Sequence, residues 1–188
     1  MLSVLSGAIE ARDPYTRGHS ARVTALAEAV ARKLGWSEER LASLRLGGPL
    51  HDIGKLAVSD EVLRKAGRLD DHELAQIREH PKTGARLILR IAALRDAIPY
   101  VLYHHERWDG AGYPSGKAGE EIPLEARVLA VADAFDAMTS DRPYRRALTH
   151  EEALAEVERC AGTQFDPQIA SVFLELFAVA ELPAAAVS

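Results

Sequence analysis

The chain has 188 residues, 47% of them hydrophobic and 27% charged, the composition of a globular domain whose core buries about 70% of the unfolded surface. No apolar run approaches the roughly 18 residues that cross a bilayer, and a net charge of −5 supplies no global basic field, so neither membrane insertion nor binding to long nucleic acid is expected. Cys160 has no partner for an internal disulfide, and Met1 to Glu10 lack the regions of a secretory signal, so a cytoplasmic setting is expected.

Met1 to Arg12 reads as a short N-terminal helix, the end of a linker. Val23, Leu26, Ala27, Val30 and Leu34 then recur at helical spacing, Gly35 is placed to end that helix, and Ser37 to begin the next. In His51-Asp52-Ile53-Gly54-Lys55 the four-residue spacing puts His51 and Lys55 on one side of a helix, with Gly54 open to close approach. Asp70 with Glu73 and Thr149 with Glu152 fit capping boxes, and His72 and His150 read as surface residues in first turns. Glu106 to Ile122 is a long irregular stretch rich in glycine, of the kind that carries function in compact domains. Leu124, Val128, Val131, Phe135 and Met138 predict another helix, Asp141 to Ala147 a break, and Asp166-Pro167 the start of a last helix through Val172, Phe173, Leu176 and Phe177. Pro123 and Pro167 occupy first-turn positions. No alternating strand pattern competes, so the fold class is all-α, with a frayed tail over 181–188.

Five of the seven histidines (His19, His51, His80, His104 and His105) sit at ends of helical patterns. The neighbours His51-Asp52 and His104-His105 point about 100° apart on a helix, which suits ligands bracketing a pair of cations beyond a helix end. Asp133 falls among apolar residues, where an ionised carboxylate requires a partner or a metal. A cap or a salt bridge explains any one of these residues alone. Together the seven groups exceed the four that one zinc takes, which favours two cations. Lys55 and the cluster Arg142, Arg145 and Arg146 suit a phosphate, with solvated surface charge as the alternative.

In order along the chain, His51-Asp52-Ile53-Gly54-Lys55, His80-Pro81, His104-His105-Glu106-Arg107-Trp108-Asp109-Gly110-Ala111-Gly112-Tyr113-Pro114, Val131-Ala132-Asp133 and Asp141-Arg142-Pro143-Tyr144-Arg145 closely resemble the HD-GYP domain, over residues 8–180. The resemblance implies a compact helical HD-superfamily core with a binuclear, sometimes trinuclear, metal centre that hydrolyses the bacterial second messenger cyclic di-GMP to pGpG, GMP or both through a metal-bridging hydroxide. It implies His51, Asp52, His80, His104, His105 and Asp133 as metal ligands, Asp52 bridging, and His19 near the centre as a further ligand. Asp52 and Lys55 are the implied catalytic pair, with Lys55 protonating the leaving 3′ oxygen, and Lys55, Arg142, Arg145 and Tyr113 the implied substrate contacts. Two divalent transition-metal ions are expected, Fe or Mn first and Zn or Ni as the other candidates. The Gly-Tyr-Pro loop is similar to one that meets diguanylate cyclase domains as partners. Three-metal members carry a glutamate four residues before the position of His19; here it is Tyr15, a poor ligand at neutral pH. The rival readings are a catalytically weak cyclic di-GMP sensor or cyclase-docking module, and an HD phosphohydrolase acting on another phosphate ester.

Overall fold

The computed structural model describes Gly7, Arg12 and residues 18–65, 67–141 and 146–178. These residues form α-helices joined by short 3-10 turns, with a single isolated bridge between Ala161 and Phe165 in place of any strand. The helices are α1 (His19–Lys33), α2 (Glu38–Gly47), α3 (Asp60–Leu63), α4 (Asp71–Arg78), α5 (His80–Leu89), α6 (Ile98–Tyr103), α7 (Leu124–Thr139), α8 (His150–Arg159) and α9 (Pro167–Ala178). Most of the N-terminal segment, Tyr15, and the tail after Ala178 lie outside the described residues.

The predicted punctuation has physical counterparts. Gly35 takes φ 74°, and the Gly35 and Trp36 N–H groups reach back to the Arg32 and Ala31 carbonyls, so orphan acceptors at the end of α1 are satisfied. Ser37 caps α2, and the two capping boxes at α4 and α8 are present with both reciprocal bonds. Asp166 accepts from the Gln168 and Ile169 N–H groups ahead of Pro167, the first residue of α9. Pro123 differs by one position: it precedes α7 as its N-cap, and the helix begins at Leu124.

The apolar stripes of α1 and α7 pack against one another and against α8 and α9. Val23, Leu26, Val30, Val128, Val131, Phe135 and Phe173 are buried in this main core. A smaller core under α5 and α6 gathers Leu50, Ile53, Ile88, Leu94, Ala97 and Val101. The site lies where these two bodies meet.

One local expectation fails. His51 to Lys55 is not a helical face: the chain runs from the 3-10 turn Gly48–Leu50 through His51 and Asp52 into the 3-10 turn Ile53–Ala57. Close packing accounts for it. A Cβ at Gly54 would lie 1.8 Å from the His80 carbonyl oxygen and 2.7 Å from the Gly84 nitrogen, so this turn is pressed onto the backbone of α5. That contact requires glycine at position 54 and brings Asp52 beside His80.

Candidate metal centre

Each candidate ligand sits at a helix end or on the face of α7, and the backbone explains its orientation. Pro81 has no N–H to give the Ile77 carbonyl four residues earlier, and His80 Nδ1 meets that oxygen at 2.7 Å instead. His104 follows α6 and turns Nδ1 to the Tyr100 and Val101 carbonyls at 2.9 and 3.1 Å, acceptors that a helix end leaves orphaned. His51 Nδ1 meets the Gly48 carbonyl at 2.7 Å. A carbonyl only accepts, so all three imidazoles carry hydrogen on Nδ1 and turn Nε2 inward, the arrangement that metal-ligating histidines adopt.

The inward atoms fall into two adjoining groups, Asp52 with His80, His104 and His105, and His19 with His51 and Asp133, with the ligand atoms of each group within 4.8 Å of one another. Asp52 faces both. Its Oδ1 lies 3.2 Å from His80 Nε2 and 4.0 Å from His104 Nε2, while Oδ2 lies 3.6 Å from His51 Nε2 and 2.7 Å from the Lys55 ammonium. Asp133 Oδ1 lies 3.2 Å from His19 Nε2 and 4.0 Å from His51 Nε2.

These residues fit metal binding. His51 Nε2 is buried without a hydrogen-bond partner, and His80 and His104 bring two Nε2 atoms to 3.3 Å, a repulsive meeting of lone pairs unless a positive centre lies between them. Imidazole and carboxylate without thiolate suit divalent transition metals. Protonation agrees. Burial drives His104 well below the ordinary histidine range and pushes His105 down to about 4, so both are neutral at pH 7. Burial opposes ionisation of both carboxyls, but Lys55 with His51 and His80 outweighs it at Asp52, and the His19 hydrogen bond with His51 and His105 outweighs it at Asp133, so both are held far below their usual values.

His19 differs from the other histidines. Both its nitrogens meet carboxylates, Nδ1 on Asp136 at 2.7 Å and Nε2 on Asp133. Burial works against its charge, yet these two bonds prevail and raise its pKa to about 9. Asp136 in turn is held at 2.6 Å by the Arg22 guanidinium. Sequence reasoning passed over Asp136, although its position three residues after Asp133 on an apolar helix placed it on the same face.

The remaining candidates lie close by or outside. Tyr113 stacks on His105 with ring centres 4.8 Å apart and planes 26° apart, and its N–H donates to the His105 carbonyl. Burial raises the Tyr113 phenol above its ordinary range, so it keeps its proton at neutral pH. A cavity of about 220 Å³ opens here, bounded by His104, His105, Glu106, Tyr113 and Asp133. Arg142 and Arg145 lie outside the described residues, while the ends of their segment are tied by the Ala147 N–H to Asp141. Arg146 is exposed, as are His72 and His150.

Among relatives, the chain is 43% identical over 180 residues to the cyclic di-GMP phosphodiesterase response regulator RpfG of Xanthomonas campestris, covering 92% of this chain and 46% of that protein. It is 39% identical over 178 residues to a cyclic di-GMP phosphodiesterase of Thermotoga maritima, covering 94% and 48%. The chain thus spans about half the length of these curated relatives. Among solved structures, a cyclic GMP-AMP specific phosphodiesterase of V. cholerae shares the fold with a TM-score of 0.68 at 21% identity, over 95% of this chain and 49% of that one. The HD domain pattern matches residues 3–169, and with the helical core and the histidine-aspartate cluster in place, the chain belongs to the HD domain family.

Proposed function

We propose that residues 8–180 form the catalytic domain of a metal-dependent phosphodiesterase that hydrolyses cyclic di-GMP to pGpG, GMP or both. The observation that carries this reading is the pair of adjoining ligand groups with one oxygen of Asp52 turned to each. The naming of the relatives supplies the substrate. Two divalent ions fit this reading, Fe or Mn with Zn or Ni as the other candidates: His80, His104 and His105 would hold one, His51 and Asp133 the other, and Asp52 would serve both. His19 would join the second group on releasing its proton. When bound, the ions supply positive charge at the phosphate and a water that is nucleophilic at neutral pH.

The chain's own residues do the rest. Lys55, on the 3-10 turn beside Asp52, orients the phosphate and gives its proton to the 3′ oxygen as the phosphorus–oxygen bond breaks. Arg142 and Arg145 bind phosphate oxygens. Tyr113 meets the substrate as a hydrogen-bond donor from the wall of the cavity. Diguanylate cyclase domains dock at the Gly112-Tyr113-Pro114 loop, and a cytoplasmic setting follows from the substrate. Retention of the full ligand set disfavours a silent sensor.

Turnover with Mn²⁺ or Fe²⁺ over a panel of cyclic di-GMP, 3′3′-cGAMP, cyclic di-AMP and a simple phosphodiester tests the reading. Cyclic di-GMP is expected to be consumed fastest. Binding without turnover would establish the sensor, and preference for the simple ester would establish another HD phosphohydrolase.

A further inference from the structure

We propose that Glu106 is a positioning residue, a clamp that holds the Gly112-Tyr113-Pro114 loop so that Tyr113 stays stacked over His105 beside the metal centre. The proposal rests on the functional reading above. Glu106 directly follows the two histidines and is 3% exposed, an unusual place for a glutamate. Its carboxylate reaches across the loop: Oε1 accepts the Ser115 N–H at 2.7 Å and Oε2 accepts the Lys117 N–H at 3.1 Å. Both donors follow Tyr113 within four residues, so one side chain secures the return limb of the loop that carries the tyrosine.

The outgoing limb is held by backbone. The Tyr113 N–H donates to the His105 carbonyl at 3.1 Å, and Gly112 lies so close to the stem that a Cβ there would fall 2.3 Å from the Arg107 nitrogen. Residues 105–107 therefore grip the loop on both sides, and the Tyr113 ring has His105 beneath it. Of these restraints the carboxylate is the one by which a side chain holds the backbone of the return limb. A glutamine there keeps the shape but offers acceptors on one oxygen, and its NH2 group confronts the other N–H donor. The loop then loosens while the histidines keep their own carbonyl anchors.

A clamp acting through Tyr113 predicts a specific kinetic pattern. Glu106→Gln is expected to speed amide exchange at Ser115 and Lys117 by at least about 10-fold, with α1 and α7 unchanged, and to leave metal content intact. KM for cyclic di-GMP rises about 5- to 20-fold with kcat within about twofold. In a Tyr113→Ala background the same substitution moves KM less than about twofold, because the residue it positions is gone. Glu106→Asp keeps both acceptors on a shorter arm and shows the same pattern with smaller factors, which serves if the glutamine variant fails to fold. Unchanged exchange at Ser115 and Lys117 overturns the clamp. An equal KM factor with and without Tyr113 overturns its action through Tyr113. Exchange is read without substrate, so a wild-type chain that turns over no cyclic di-GMP counts against the functional reading while the clamp is still decided.

Discussion

The ammonium of Lys55 is paired with the Asp52 carboxylate at 2.7 Å, on the oxygen that faces His51. One carboxylate oxygen thus serves both a lysine and the second ligand group, so a cation bound at that group would compete with Lys55 for the charge of Asp52.

Lys55→Met keeps much of the stem and removes that competition. Metal content is expected to match or exceed that of the wild type, while kcat falls about 10²- to 10⁴-fold, the scale of a lost general acid. Metal analysis alongside turnover checks it; loss of metal would make Lys55 a structural partner of Asp52 instead.

Asp52→Asn replaces the oxygens that face both groups with one weaker acceptor. If Asp52 is the shared ligand proposed above, bound metal is expected to drop to less than about one ion per chain and turnover to vanish. Circular dichroism should keep its helical signal, since the helices pack through the two apolar cores rather than through Asp52.

Gly54→Ala should hurt stability and chemistry together. The added methyl meets the backbone of His80 and Gly84, which cannot swing away as a side chain does, so destabilisation of about 1–3 kcal/mol or more is expected. The turn lifts off α5 and carries Asp52 away from His80. Thermal melting with metal titration would show a lower Tm and weaker metal binding, and a variant with wild-type affinity would show that this contact does not set the site.

A metal that used His19 as a ligand would have to displace its proton. In the metal-free chain its pKa is about 9 against an ordinary 6.5, so its charged pairing with Asp133 and Asp136 stabilises the fold fully below pH 6.5 and is lost as pH rises through 9. His105, pushed by burial to about 4, acts in the opposite sense: its neutral form stabilises above pH 6.5, and that contribution fades as pH falls toward 4. Metal-free protein should therefore melt highest near pH 6.5, and His19→Gln should flatten the alkaline limb. Calorimetric metal titration at pH 7 in buffers of different ionisation enthalpy should report release of about one proton as His19 becomes a ligand. No release would leave His19 as the clasp between two aspartates.

Periodicity and capping chemistry made α1, α7 and the helix ends legible in the sequence, because apolar spacing and short polar caps act locally. The geometry of His51 to Lys55 was not legible, since the 3-10 path follows from a contact between Gly54 and an element 26 residues on, and no local pattern encodes a contact of that kind. The ligand candidates were visible as residue types at helix ends. Their orientation was not, because it depends on which carbonyls Pro81 and the end of α6 leave open. Glu106 left no trace either: its partners are backbone N–H groups, which every residue but proline has. Asp136 was there to be read from its spacing to Asp133.

The dispersal of the ligands along the chain also bears on how the domain assembles. His19 and its anchor Asp136 are 117 positions apart, and His80 and His104 are 24 apart. One group of donors needs the turn that carries Asp52 and the ends of α5 and α6, the other needs α1, the turn that carries His51 and α7, so both groups exist only once all of these have docked. An unfolded chain therefore offers only scattered histidines, and loop-closure entropy opposes gathering them early. The candidate centre is thus a product of tertiary packing, and a metal that binds it would add its binding free energy to the stability of the packed helices.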